Sequence, residues 1–149
     1  PFDVIAGVPI GGLHIATALS LEIETPLLYV RPSQLRDIGY TSQIEGIYTP
    51  DQSIVIVDDL AAGGGSLVKT IERLREAGLR VHDAVVLIDR EQGAGVQLKT
   101  LGVHLHSILT LDVILEYLHS ANHINDQDFD ASRSYLNRER QTFLDIDES

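Results

Sequence analysis

At 149 residues the chain fits one domain, large enough to bury roughly two thirds of the surface its unfolded form exposes. Its 44% hydrophobic content is ordinary for a globular protein, while a net charge of −11 argues against a nucleic-acid surface, which needs clustered Lys and Arg. Without cysteine there is no disulfide framework and no thiolate metal site, and no apolar run approaches the ~20 residues that cross a bilayer. These features fit a cytoplasmic protein without a membrane or nucleic-acid partner. The chain opens on Pro1 and enters an apolar run at once, which points to an upstream part.

Phe2 to Val8 reads as a buried strand that ends in Gly7-Val8-Pro9-Ile10-Gly11-Gly12. A nearly all-apolar helix follows from Leu13 to about Leu21, with Ala16 and Ala18 small enough for close packing on a sheet. Pro26 to Val30 reads as a second strand. Residues 31 to 50, punctuated by Pro32, Gly39, Gly46 and Pro50, are long for a connection and suggest a working loop or hairpin with strands from Tyr40 to Tyr48.

The central unit is Ser53 to Ser66. Four β-branched residues, Ile54 to Val57, suit a strand buried on both faces; Asp58 and Asp59 stand at its end, and Gly63, Gly64 and Gly65 form a turn. Ser66 is expected to cap a helix whose apolar face is Leu67, Ile71 and Leu74 and whose C′ residue is Gly78. Glycines let backbone amides approach an anion, and a helix N-terminus adds partial positive charge, so a phosphate beside a sugar or a metal suits this turn.

Arg80 to Ile88 holds another strand, read as continuously buried over Ala84 to Ile88, before Asp89-Arg90-Glu91 and the glycines Gly93 and Gly95. A short helix near Val96 to Leu101 and a strand at Val103 to Leu109 follow. Thr110 is expected to cap a helix with Leu111, Ile114, Leu115 and Leu118 on one face. Two regions result: a core over 1–124 and an acidic extension over 125–149, with a peripheral helix at 131 to 144 and the acidic residues read as solvation. The six histidines show no ligand spacing, so no protein metal ligand is assigned. Strands alternating with helices call for an α/β fold, a mostly parallel sheet with helices on both faces.

The Walker A spacing is absent, and Gly63-Gly64-Gly65 is not the dinucleotide fingerprint. An acidic pair near the third strand is misplaced for a phospho-acceptor receiver domain. Ile54 to Ser66 instead resembles the phosphoribosyl pyrophosphate loop of the type I phosphoribosyltransferases. With Gly7-Val8-Pro9, Gln43 to Gly46, Asp89-Arg90-Glu91-Gln92-Gly93 and Leu105 to Leu111, the chain resembles the orotate phosphoribosyltransferases, including that domain of UMP synthases.

The resemblance implies the type I phosphoribosyltransferase fold and a reaction of orotate with phosphoribosyl pyrophosphate. Asp58 and Asp59 would hold the ribose hydroxyls, and Ala62, Gly63, Gly64, Gly65 and Ser66 the 5′-phosphate. Val8, Pro9, Ile10 and Gly11 would meet the pyrophosphate, and Arg90 the orotate. Mg²⁺ would arrive chelated by the substrate, and the protein would be a homodimer. The family's mobile loop, Arg-Lys-x-x-Lys-Asp-(His or Tyr)-Gly, matches Pro32 to Gly39, where Arg36 keeps a positive charge and is the third catalytic candidate. Ala62 and Gly65 replace two threonines of the phosphate loop. Weak transfer is therefore expected, and the alternative is a non-catalytic module that binds a phosphoribosyl compound or nucleoside monophosphate, or dimerises.

Overall fold

The structure, a computed structural model, describes residues 1–31 and 43–147. In chain order its elements are β1 (Val4–Gly7), α1 (Gly11–Glu22), β2 (Leu27–Val30), β3 (Ile44–Glu45), β4 (Ser53–Ala61) and α2 (Gly65–Glu76). There follow β5 (Arg80–Asp89), α3 (Ala94–Thr100), β6 (His104–Thr110), α4 (Leu111–Ser120) and α5 (Asp126–Asp147).

The six strands form one sheet in the order β3-β2-β1-β4-β5-β6. Only the β2–β3 pair is antiparallel, with Tyr29 opposite Glu45 and Val30 opposite Ile44. The hairpin expected over Tyr40 to Tyr48 is thus reduced to Ile44–Glu45 among the described residues, and Arg36 lies outside them. Helices cover both faces, as the sequence implied. On one face Ile5, Val55 and Val57 pack with Ala16 and Ile15 of α1. On the other, Val4, Ala6, Ile54 and Ile56 pack with Leu67, Ile71 and Leu74 of α2 and Leu98 of α3. A strand with apolar residues at every position can serve both cores at once.

Several local expectations change. Ala18 is exposed, and only Ala16 makes the close approach, against Gly7. β5 is not buried continuously: Val81, Ala84 and Val86 are buried while Leu87 is 42% exposed, because α1 does not reach across the β5–β6 half of its face. β6, at the sheet edge, is open along most of its length. Thr110 does cap α4, its hydroxyl accepting from the Val113 amide at 3.3 Å. The last helix begins at Asp126, five residues earlier than expected, since Asn125 and Asp128 close its first turn with reciprocal bonds of 2.8 and 3.0 Å.

Candidate functional site

The chain runs outward from β1 to β2 and β3, then returns to β4 and continues to β5 and β6. Its direction of winding reverses between β1 and β4, and in open α/β sheets the crevice at such a reversal takes the ligand. The C-terminal ends of these two strands carry the Val8 to Gly11 turn and the acidic pair.

β4 does not stop at Val57. Its ladder with β5 continues through Asp58 opposite Val86 and Ala61 opposite Asp89, so both aspartates belong to the strand. Adjacent strand residues face opposite ways, which leaves Asp58 5% exposed and Asp59 open to solvent. The amide of Val8 donates to the Val57 carbonyl at 3.0 Å, which ties the turn to β4. A Cβ at Gly12 would run into the Val57 carbonyl, so a glycine there lets α1 start against β4, while a Cβ at Gly11 would displace the exposed Asp59 carboxylate. The Pro9–Ile10 peptide is cis, and Ile10 is 82% exposed.

Burial pushes the Asp58 carboxyl up to about 7, and the neighbouring Asp59 adds to the rise. The amide of Asp59, 2.9 Å from Asp58 Oδ1, and the amide of Gly12 pull the other way. Near neutral pH Asp58 is divided between acid and carboxylate, beside an exposed carboxylate on Asp59. Such a pair can donate to and accept from vicinal sugar hydroxyls.

The glycine turn is held by α3's loop: Ala94 donates to the Ala62 carbonyl at 3.0 Å and Arg90 to the Ala61 carbonyl at 2.8 Å. Ser66 is not the N-cap. Gly64 takes that place at φ 85, packed on Ala94, and no side chain caps the helix. The left-handed glycine brings the helix in two residues early, leaving Ser66 as its second residue. The first amides of α2 lack intrahelical acceptors, and they face outward without a capping side chain. That is an anion-binding arrangement.

A cleft of about 570 Å³ adjoins this turn, lined by Val8 and Pro9, by Val30, Arg31 and Gln43, and by Ser66, Lys69, Thr70, Glu72 and Arg73 of α2. It brings two of the four diphosphate-turn candidates together with Ser66; Asp58, Asp59 and Arg90 are not among its described lining. Lys69 and Arg73 are cations that the sequence reading missed; Arg31, one position before the mobile-loop match, is the one cation it offers as a partial substitute there. Arg31 pairs with Glu45, and Arg73 with Glu76 at 2.7 Å. A signal was present: Ser66, Lys69 and Arg73 fall at spacings of three and four, one helical stripe that starts at the turn. Arg90 is half-buried and lines a different pocket, between α4 and α5.

The family model described as Phosphoribosyl transferase domain matches residues 2–108. The chain is 46% identical over 116 residues to the orotate phosphoribosyltransferase of Aeropyrum pernix, covering 78% of this chain and 61% of that protein. To the uridine 5′-monophosphate synthase of Bos taurus it is 36% identical over 135 residues, 91% of this chain and 28% of the relative. Among solved structures, the UMP synthase of Leishmania donovani superposes with a TM-score of 0.81 at 38% identity, over 93% of this chain and 30% of that one. The chain spans between 27% and 61% of the length of the first curated relatives it matches.

Proposed function

We propose, since the chain belongs to the phosphoribosyl transferase domain family, that it binds phosphoribosyl pyrophosphate and transfers its ribosyl phosphate to orotate, as in pyrimidine nucleotide synthesis. The observation that carries this reading is the junction at the winding reversal, where the Val8 to Gly11 turn closes on Asp58 and Asp59 beside the uncapped start of α2. In the transfer, a ring nitrogen of orotate forms a bond to the anomeric carbon as its N–H proton is lost to solvent. The bond from that carbon to the pyrophosphate oxygen breaks, and its electron pair leaves with pyrophosphate. No protein nucleophile is needed; positioning and charge stabilisation supply the rate.

In this reading Asp58 and Asp59 hold the ribose hydroxyls, and the amides from Ala62 to Ser66 wrap the 5′-phosphate. The Val8 to Gly11 turn offers the amides of Ile10 and Gly11 to the pyrophosphate, since the Val8 amide donates to the Val57 carbonyl and Pro9 has none; Lys69, Arg73 and Arg31 offset its charge across the cleft. Mg²⁺ enters with the pyrophosphate as part of the substrate. Among the described residues no group of three or more ligating side chains forms a metal cage, and the open Asp59 carboxylate is the hard oxygen ligand such an ion accepts. The protein is read as a cytoplasmic homodimer; exposed apolar side chains such as Ile108 (67%) and Leu87 on the open half of the sheet support the pairing.

Transfer is expected to be slow. Ala62 and Gly65 carry no hydroxyl, and losing one preorganised donor typically costs about 10²–10³ in rate. The same observation favours a second reading, a module that binds phosphoribosyl compounds or nucleoside monophosphates without turnover. Orotate absorbance followed with phosphoribosyl pyrophosphate and Mg²⁺ separates the two. Slow loss of orotate that disappears in Asp59→Asn supports transfer; pyrophosphate compound bound without turnover supports the module. Failure to bind below millimolar by calorimetry would sink both.

A further inference from the structure

The glycine turn that opens α2 is held from outside. Three glycines in a row leave the backbone more freedom than any other residues would, and no side chain caps the helix that follows. The ties of the turn run to the segment after β5: the Arg90 amide donates to the Ala61 carbonyl at 2.8 Å, and the Ala94 amide to the Ala62 carbonyl at 3.0 Å. Ala94 is fully buried, and a Cβ at Gly64 would lie 3.0 Å from its Cα, so the turn rests directly on it. Where residues 90–94 sit, the turn follows.

That segment is in turn held by α5. Glu91 has φ 56, a left-handed backbone that a residue with a side chain keeps only under outside constraint, and its amide donates to Asp89 Oδ1 at 2.7 Å. Arg140 Nη2 donates to Glu91 Oε2 and to Asp112 Oδ2, both at 2.8 Å. The side chains of Arg140, Glu91 and Asp112 are 25%, 35% and 28% exposed, and Arg140 Nε is shut off from solvent, so this bridge is screened less than a surface pair. Gln92, 3% exposed, donates to Glu139 Oε2 at 3.4 Å. Two consecutive residues of α5 thus take two consecutive residues of the loop, and Leu136, one turn earlier, is buried beneath them.

We infer that Arg140 is a positioning residue for the phosphate turn. Through Glu91 it fixes residues 90–94, and through their amides it fixes the carbonyls of Ala61 and Ala62, so the backbone donors of the turn are in place before a ligand arrives. This rests on the phosphoribosyl reading above, which puts the 5′-phosphate at residues 62–66. Ordering a glycine turn at the moment of binding costs affinity, and a turn ordered in advance avoids that cost. The C-terminal helix therefore contributes to phosphate affinity without touching the ligand.

The two arms of the bridge separate this from a plain anchoring role for α5. Glu91→Gln removes the arm to the loop and leaves Arg140 paired with Asp112; Asp112→Asn removes the arm to α4 and leaves Arg140 paired with Glu91. Ribose 5-phosphate and magnesium pyrophosphate are titrated by calorimetry into the full chain and into each variant. Glu91→Gln is expected to weaken ribose 5-phosphate about fivefold and Arg140→Met about tenfold, whereas Asp112→Asn stays within about twofold. Pyrophosphate, which meets the Val8 to Gly11 turn, is expected to stay within about twofold in all three. Arg140→Lys, whose ammonium still bridges two carboxylates, is expected to recover part of the loss. Equal effects of Glu91→Gln and Asp112→Asn, equal weakening of both ligands, or ribose 5-phosphate affinity unchanged in Arg140→Met would each overturn the inference while the phosphoribosyl reading stands. If the parent chain binds neither ligand, both fall.

Discussion

Asp58 keeps its proton across a pH range in which ordinary aspartates have lost theirs, because burial raises its carboxyl to about 7. The unfolded chain releases that proton near the ordinary aspartate value of 3.8, so between about pH 4 and 7 the folded state binds more protons. Stability from this group therefore falls as pH rises through that window, by an amount on the order of a few kcal/mol. Urea unfolding at pH 5 and pH 8 is expected to show a smaller drop for Asp58→Asn than for the parent chain; an equal drop would refute the assignment. The glycines next to it differ among themselves. Gly64 has φ 85 and a Cβ there would lie 3.0 Å from the Ala94 Cα, whereas a Cβ at Gly65 meets nothing within 4 Å. Gly64→Ala should cost about 1–2 kcal/mol for the left-handed backbone alone, and Gly65→Ala nothing or a slight gain. Denaturant midpoints of the two variants check this directly.

At the scale of elements, α2 shows what the sequence could and could not disclose. Its buried face was plain, since Leu67, Ile71 and Leu74 repeat at helical spacing and all are within 1% of full burial. Its start was not, because the left-handed φ of Gly64 depends on packing against Ala94, which is thirty residues away in the chain. The extent of β4 was hidden for a similar reason: two aspartates read as an end, yet the ladder to β5 carries them on to Ala61. The role of α2's polar side was hidden too, because only the cleft brings Lys69 and Arg73 together with the Val8–Pro9 turn. Lys69→Ala with Arg73→Ala is expected to weaken phosphoribosyl pyrophosphate about tenfold, more strongly at low salt. Unfolding free energy should stay within about 0.5 kcal/mol, since both side chains lie on the surface. Titration at two ionic strengths distinguishes a charge effect from a loss of fold.

Across the whole molecule, the alternation of strands and helices sufficed to anticipate a parallel sheet covered on both faces. The seating of α5 could not be anticipated, because the partners of Arg140 are Glu91 and Asp112, on a loop and a helix distant in sequence. Charge in the last segment looked like solvation until the fold placed those carboxylates opposite one arginine. Leu136, four positions earlier, is the apolar anchor of the same contact. Leu136→Ala is expected to lower stability by about 2–3 kcal/mol, as for other buried leucines. Circular dichroism melting would record it; an unchanged melting temperature would mean that α5 adds little to the fold.

The meeting of the β1 turn with the end of β4 also has a kinetic side. Residues 8–11 and 62–66 belong to opposite halves of the sheet, and one ligand that spans them acts as a removable cross-link between those halves. Such a ligand stabilises only the closed arrangement, by about 2.7 kcal/mol when its concentration is a hundred times its dissociation constant. Amide hydrogen exchange in the two turns should then slow together, at one ligand concentration, although they lie far apart in the chain.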